Sequence, residues 1–208
     1  MDALARVVGI KSRYVVERCR ELEGAGWLRI VRDGKKLRPE ALVPPDIEER
    51  IAGEIRRVVE ISPFKGEATT IFFIEWLVAP SVRLITHARP DFLKNKETNQ
   101  NLEYDVFAPD YAWATEYQGD QHFGPTSRYP SKDGFIERYK RDVRKARLSD
   151  ANGIRLSIVH NQILTLGGIL GVIPKDVPLR TIDPKGPVVV ALEELGREVA
   201  GSQDWDRE

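Results

Sequence analysis

The sequence predicts an α/β (α+β) fold: an αβββαβ core around a mixed central sheet, preceded by a small helix-turn-helix with a hairpin wing. Three observations carry this. Residues 102–107 and 112–118 read as two short strands joined by a tight Ala108-Pro109-Asp110 turn. Residues 135–151 form a long charged helical stretch followed by an apolar strand over 153–159, and a helical crossover makes that strand parallel to its neighbour. Asp33-Gly34, between the runs Trp27–Arg32 and Lys35–Arg38, is a strong hairpin signal.

The remaining elements follow in chain order. Residues 3–8 read as a short apolar helix, and Gly9-Ile10-Lys11 as a turn. Ser12 can cap a second helix running to about Glu23, with Val15, Val16, Cys19 and Leu22 at core spacing. Gly24 and Gly26 end it. Pro44-Pro45-Asp46 breaks the chain, and Ile47, Ile51, Ile55, Val58 and Val59 mark an amphipathic connecting helix that Ser62-Pro63 closes. Thr69 to Val78 reads as an apolar helix stopped by Pro80, and Val82 to Thr86 as a strand. Residues 90–101 are polar and read as a mobile loop; residues 124–134, with Pro125 and Pro130, also read as a loop. Residues 161–173 suggest one more helix with a Gly167-Gly168 break. After Pro174 the chain is proline-rich, carries a short apolar run from Val188 to Leu192, and ends in an acidic tail expected to fray. The expected division is a small domain over 1–45, a linker helix over 46–63, the main domain over 64–175 and a C-terminal extension over 176–208.

Composition sets limits on function. The 208 residues are 41% hydrophobic and 31% charged, enough for a packed core. The formal net charge is +0, so any nucleic-acid binding must come from local patches. Cys19 is the one cysteine, which excludes an intrachain disulfide and a Cys-cluster zinc site and fits a reducing cytoplasm. The N-terminus has no secretory pattern, and the apolar run Ile71–Ile74 is interrupted by Glu75, so no membrane span is expected.

The chemistry concentrates in the 104–123 segment. Residues two apart on a strand share a face, so Glu116 and Gln118 point the same way and the turn folds Asp105 back beside them. Two carboxylates and an amide make an oxygen-rich site for a hard divalent cation. The other reading is an exposed hairpin with solvated charges. Glu103 shares a face with Asp105 at ~6.6 Å by strand rise. Glu75 falls with Ile71, Ile74 and Val78 on the face expected to be buried, where an unpaired acid is costly; it is read as a third acid of the metal site, with an ordinary surface acid as the alternative. The long helix carries Arg138, Lys140, Arg141, Arg144, Lys145 and Arg147, with Arg128 and Lys132 before it. This is either a phosphate-gripping patch or a solvated face paired locally with Glu137 and Asp142. Arg89, Lys94 and Lys96 lie in the loop before the motif and could reach a groove.

Residues 1–44 resemble a winged-helix DNA-binding domain of the kind found in bacterial regulators, through Leu4-Ala5-Arg6, Gly9-Ile10, Leu22 to Leu28 and the wing. Its basic residues outnumber its acids by about four, clustered on the second helix and wing. The resemblance implies DNA contacts from Lys11, Ser12, Arg13, Arg32, Lys35 and Lys36. Such domains usually have a further helix ahead of this pair. The expectation is therefore either a truncated N-terminus or a gap filled by the helix near Ile47 to Ile61.

The ordered set Tyr104 to Tyr111, Glu116-Tyr117-Gln118-Gly119, Gln121-His122-Phe123, Arg141 to Lys145 and Gly153-Ile154-Arg155 resembles the PD-(D/E)XK nuclease superfamily over about residues 67–160. Within it the likeness is greatest to the very-short-patch-repair branch and related phage homing endonucleases. The resemblance implies a restriction-endonuclease-like core in which Asp105 and Glu116 bind Mg2+, with Mn2+ as a substitute, and the Tyr117 carbonyl adds a ligand. Gln118 departs from the pattern, since most members carry lysine there. Lys145, Lys140 or Arg144 could supply that charge from the following helix. His122 would act as general base or phosphate contact, or support the site through a hydrogen bond. Lys140, Arg141 and Arg144 would grip double-stranded DNA. The expected function is a metal-dependent DNA endonuclease, either monomeric or homodimeric. The alternative is a DNA-binding or recombination-complex protein that kept the fold but lost activity; an RNA-processing nuclease has no specific feature in its favour.

Overall fold

The computed structural model describes residues 12–25, 28–33, 36–119 and 132–201. Among them are six α-helices and eight strands, in a mixed α/β arrangement. Near the N-terminus lie α1 (Ser12–Gly24) and the antiparallel pair β1 (Leu28–Asp33) and β2 (Lys36–Ala41), the second helix and the hairpin expected there. Asp33 pairs with Lys36. Val15 and Cys19 are buried against Leu28 and Ile30, as their spacing in α1 predicts. The 3–8 helix lies outside the described residues.

The main sheet has the order β3 (Ile85–Ala88), β6 (Tyr104–Ala108), β7 (Trp113–Gln118), β8 (Arg155–His160). The first three strands are antiparallel and β8 is parallel to β7, as expected for a strand reached through α4 (Lys132–Ala151). β6 is buried at all five positions. A 3-10 turn over Pro109–Tyr111 joins β6 to β7, and Ala112 adopts φ 45°, the left-handed conformation that lets the chain reverse so tightly. The strand expected at Val82–Thr86 starts later, at Ile85, because the Val82 N–H closes a turn on the Ala79 carbonyl at 2.9 Å.

The stretch expected to be a loop is built instead. Asp91–Leu93 forms a 3-10 turn, and β4 (Lys94–Asn95) pairs antiparallel with β5 (Gln100–Asn101). Leu93 is 0% exposed. It belongs to a second core with Ala88, Tyr104, Phe107 and Ala114, beneath Leu148 of α4.

The largest corrections concern the linker and the tail. α2 (Pro45–Ile61), expected to link two domains, buries Ala52, Ile55 and Val59 in the main core, together with α3 (Lys65–Leu77). It packs against α3 and the last helix rather than completing the N-terminal module. The chain after Ile163 forms α5 (Leu166–Val172) and then α6 (Pro187–Gly201). The α6 side chains Val188, Val189, Leu192, Leu195 and Val199 are core residues, so the short apolar run belongs to a longer packed helix, while the acidic tail over 202–208 lies outside the described residues. Acids cap these helices from across the fold. Glu48 of α2 is buried and accepts the Val188 N–H at 3.2 Å; burial holds its carboxyl above the usual range, against that bond. Glu193 accepts the Leu166 N–H at 3.1 Å, and the Thr165 hydroxyl accepts that of Gly168. Gly196 brings α6 close to the preceding turn: a Cβ there would lie 2.1 Å from the Leu164 carbonyl oxygen. No helix of the described residues is long and apolar enough to cross a membrane.

Candidate active site

The β6–β7 register pairs Val106 with Thr115, and extending it by one position sets Asp105 opposite Glu116. The ladder does not continue as main chain there. Instead the Tyr117 N–H donates to Asp105 Oδ2 at 2.6 Å, which fixes that carboxylate at the strand ends. Tyr117 is wedged in from the other side. Its hydroxyl donates to Asn161 Oδ1, and a Cβ on Gly66 would lie 2.1 Å from its ring, so only glycine lets α3 sit this close to β7.

Lys145, on α4, is 8% exposed, and its ammonium donates to Glu116 Oε1. Its helical turn is held by Ser149, whose hydroxyl donates to the Lys145 carbonyl at 2.7 Å and bonds the buried Tyr104 hydroxyl. Thus β6, β7 and α4 each bring one ionisable side chain to one place, the buried Asp105 and Lys145 and the partly buried Glu116. Asp105 is 8% exposed, and burial raises its pKa against the Tyr117 bond and the Lys145 and His87 charges. Glu116 is pushed up to about 8, by burial first and by the Asp105 charge second, with Lys145 opposing both.

The Glu116 shift fixes the sign of a pH effect. A carboxyl raised in the folded state keeps its proton there after the unfolded chain has lost it. The folded state then binds more protons, and stability falls as pH rises from the ordinary 4.5 towards 8. Urea unfolding at pH 5 and pH 8 is expected to show wild type losing more stability over that interval than Glu116→Gln. The difference is on the order of a few kcal/mol. Parallel losses in the two proteins would contradict this account of the site.

Two further groups border these charges, and neither was anticipated as a site residue. Glu67, in the first turn of α3, has its pKa raised by burial and then by the Asp105 charge. His87 lies in β3 at φ 50°, with Nδ1 3.2 Å from Glu103 and 3.7 Å from Glu67. Glu103 is also bonded by Arg89 at 2.5 Å, and these partners hold its pKa low against burial. Glu75, the expected third acid, is instead exposed, and burial alone raises its carboxyl. The acid of α3 that senses Asp105 is therefore Glu67. The available signals were faint, because a single acid in a first turn ordinarily reads as complementing the helix dipole.

The other expected site residues divide. Gln118 is half-buried and lines a cavity of about 630 Å3 with Glu116, Asp142 and Lys145. Lys140 is exposed and donates to Glu137 at 2.8 Å, while Arg141 is exposed on the same helix. Arg144 is not on an open phosphate-binding face: it bonds Asn95 Oδ1 at 2.5 Å and pairs with Glu97. Arg32 is exposed on β1. Ser12 and Arg13 lie in the first turn of α1, and Lys36 opens β2. His122, Lys11 and Lys35 lie outside the described residues.

Among the described residues, no three His, Cys, Asp or Glu side chains are grouped as a ready ligand set. One observation nevertheless fits a cation: Glu116 Oε2 is buried without a hydrogen-bond partner, beside a second carboxylate. A buried oxygen of this kind is costly unless something positive satisfies it.

No family model matches the chain, and no solved structure matches it. It is similar to two viral proteins. One is Uncharacterized protein 033L of Invertebrate iridescent virus 3, 37% identical over 70 residues, which are 33% of this chain and 36% of that protein. The other is Uncharacterized protein 307L of Invertebrate iridescent virus 6, 37% identical over an alignment of 75 residues that covers 33% of this chain and 38% of that protein. The chain spans little more than a third of the length of these curated relatives.

Proposed function

We propose that this chain is a metal-dependent DNA endonuclease with a restriction-endonuclease-like core, and that α1 with the β1–β2 wing helps hold the duplex. One observation carries the reading. Lys145 reaches from α4 to the carboxylate of Glu116, beside Asp105, and so brings a positive charge to the place where Gln118 cannot. The element order α3, β3, β6, β7, α4, β8, with β8 parallel to β7, supports the same reading.

Asp105 and Glu116 would hold a divalent cation, with the Tyr117 carbonyl as a further oxygen. When bound, Mg2+ or Mn2+ polarises a phosphate and lowers the pKa of a coordinated water. The chain's own residues do the rest. The Tyr117 N–H orients Asp105, and Lys145 orients Glu116 and stabilises negative charge that develops at a phosphate beside it. Glu67 adds a third acid within electrostatic reach of Asp105. The exposed cations Lys140 and Arg141 face the solvent side of α4, where a phosphate backbone could approach.

A second reading, a DNA-binding protein without activity, is favoured by the missing lysine at Gln118 and by the absence of a grouped ligand set among the described residues. One assay separates the two. Supercoiled plasmid incubated with the protein and Mg2+ or Mn2+ is expected to be nicked or linearised, and Asp105→Ala and Glu116→Ala are each expected to abolish this. A folded protein that binds plasmid yet leaves it intact under both metals would establish the second reading.

A further inference from the structure

The β4–β5 hairpin is braced more heavily than a connecting loop needs. Leu93 below it is buried, and the Leu102 N–H closes its base on the Leu93 carbonyl at 2.9 Å. Asn95 is 4% exposed, and its Oδ1 accepts from the Glu97 N–H at 3.0 Å and from Arg144 at 2.5 Å. Asn101 Nδ2 donates to the Arg89 carbonyl and to Asp91 Oδ1, both at 3.2 Å. Arg144 also pairs with Glu97, which cancels the hairpin's one negative charge and leaves the exposed Lys94 and Lys96 as its net charge.

What this bracing presents is a row of exposed side chains, Thr98 and Asn99 in the turn and Gln100 at the start of β5. Asn99 takes φ 58°, the left-handed conformation that Asn tolerates better than most residues and that makes the reversal tight. Side-chain amides are the groups that pair with adenine edges, and a two-stranded ribbon fits a major groove about 12 Å wide. The brace also joins the tip to the chemistry. Arg144 grips the hairpin and Lys145, the next residue of α4, grips Glu116, so one helical turn sets both.

We infer that the 94–101 hairpin is a base-reading element: Asn99 and Gln100 contact base edges in the major groove of duplex DNA, Lys94 and Lys96 contact the flanking phosphates, and Arg144 is the positioning residue that fixes the hairpin relative to the carboxylate pair. This rests on the DNA reading above but not on catalysis, and the test keeps the two apart. The full chain, without added metal, is used to select duplexes from a library randomised at the centre, and the recovered sequences are compared with those selected by Asn99→Gly/Gln100→Ala. Glycine preserves the left-handed backbone, and unchanged circular dichroism and melting temperature establish that the variant folds.

Wild type is expected to enrich particular bases at one or two positions. The double variant is expected to lose that enrichment about tenfold, the scale of one amide–base pair, while still binding duplex with the same salt dependence. Arg144→Met, with the tip chemistry intact, is expected to blur the same positions. Identical enrichment by wild type and the double variant, or no enrichment by wild type, overturns the inference whether or not the protein cuts plasmid. Conversely, a protein that never cuts but loses its enrichment in the double variant retains this hairpin role and refutes only the endonuclease.

Discussion

Replacing Lys145 by methionine is expected to lower plasmid cleavage by about 10²–10³-fold, the cost of removing one well-placed group that stabilises developing charge. Methionine keeps most of the side chain's length and apolar stem, so the packing of α4 on β8 should persist. What disappears is the positive charge against Glu116. With it gone, Glu116 loses the cation that opposes its burial, Asp105 keeps only the Tyr117 bond and the His87 charge, and the protonated form of the pair gains further. The residual activity should therefore rise with pH over a higher range than in wild type. Lys145→Arg, which restores charge with different geometry, should recover part of the rate without restoring the wild-type profile. A pH–rate profile of Lys145→Met that overlays wild type would remove Lys145 from the mechanism.

Leu192→Ala is expected to destabilise the fold by about 2–5 kcal/mol, the range for emptying a fully buried leucine site. Leu192 is 0% exposed within the core shared by α2, α3 and α6. Val190, on the same helix, is 39% exposed, and Val190→Ala should change stability by no more than about 0.5 kcal/mol beyond its small loss of contact. Urea unfolding of the two variants measures whether α6 is structural. A frayed tail would make them indistinguishable.

That contrast shows where the sequence was legible. Leu192, Leu195 and Val199 follow Val188 at helical spacing, but Glu193 and Glu194 interrupt the apolar run and gave the segment the look of an acidic tail. Neither is spare charge: Glu193 caps α5, and Glu194 pairs with Arg56 at 2.6 Å. The sheet was easier to read. β6 and β7 flank a short turn, and the strand after α4 pairs parallel to β7 as expected. Asp105 and Glu116 were legible for the same reason, since strand period and a tight turn leave few placements.

Glu75 misled because α3 is apolar almost all round: Phe73, Ile74, Trp76 and Leu77 are all buried, so periodicity could not select which stripe faces the sheet. Glu67 lies eight residues earlier in the same helix, about 80° away around its axis. Lys145 could be named from its helix but not told apart from Lys140 and Arg144. That choice depends on how α4 is rotated against the sheet, and the rotation is set by long-range packing through Tyr104, Ser149 and Leu148. The 90–101 segment defeated a compositional reading altogether, because Leu93 and Asn95 are buried by partners distant in sequence, among them Arg144.

The Glu48–Val188 bond joins residues 140 positions apart. At a synthesis rate of roughly 5–20 residues per second, α2 would emerge roughly 7–28 s before the helix that covers it. Through that interval Ala52, Ile55 and Val59 have no α6 to bury them, and closing so long a loop makes folding slow relative to chains with local contacts. Until α6 arrives, the nascent chain exposes these apolar side chains, and that interval is when it is most open to aggregation.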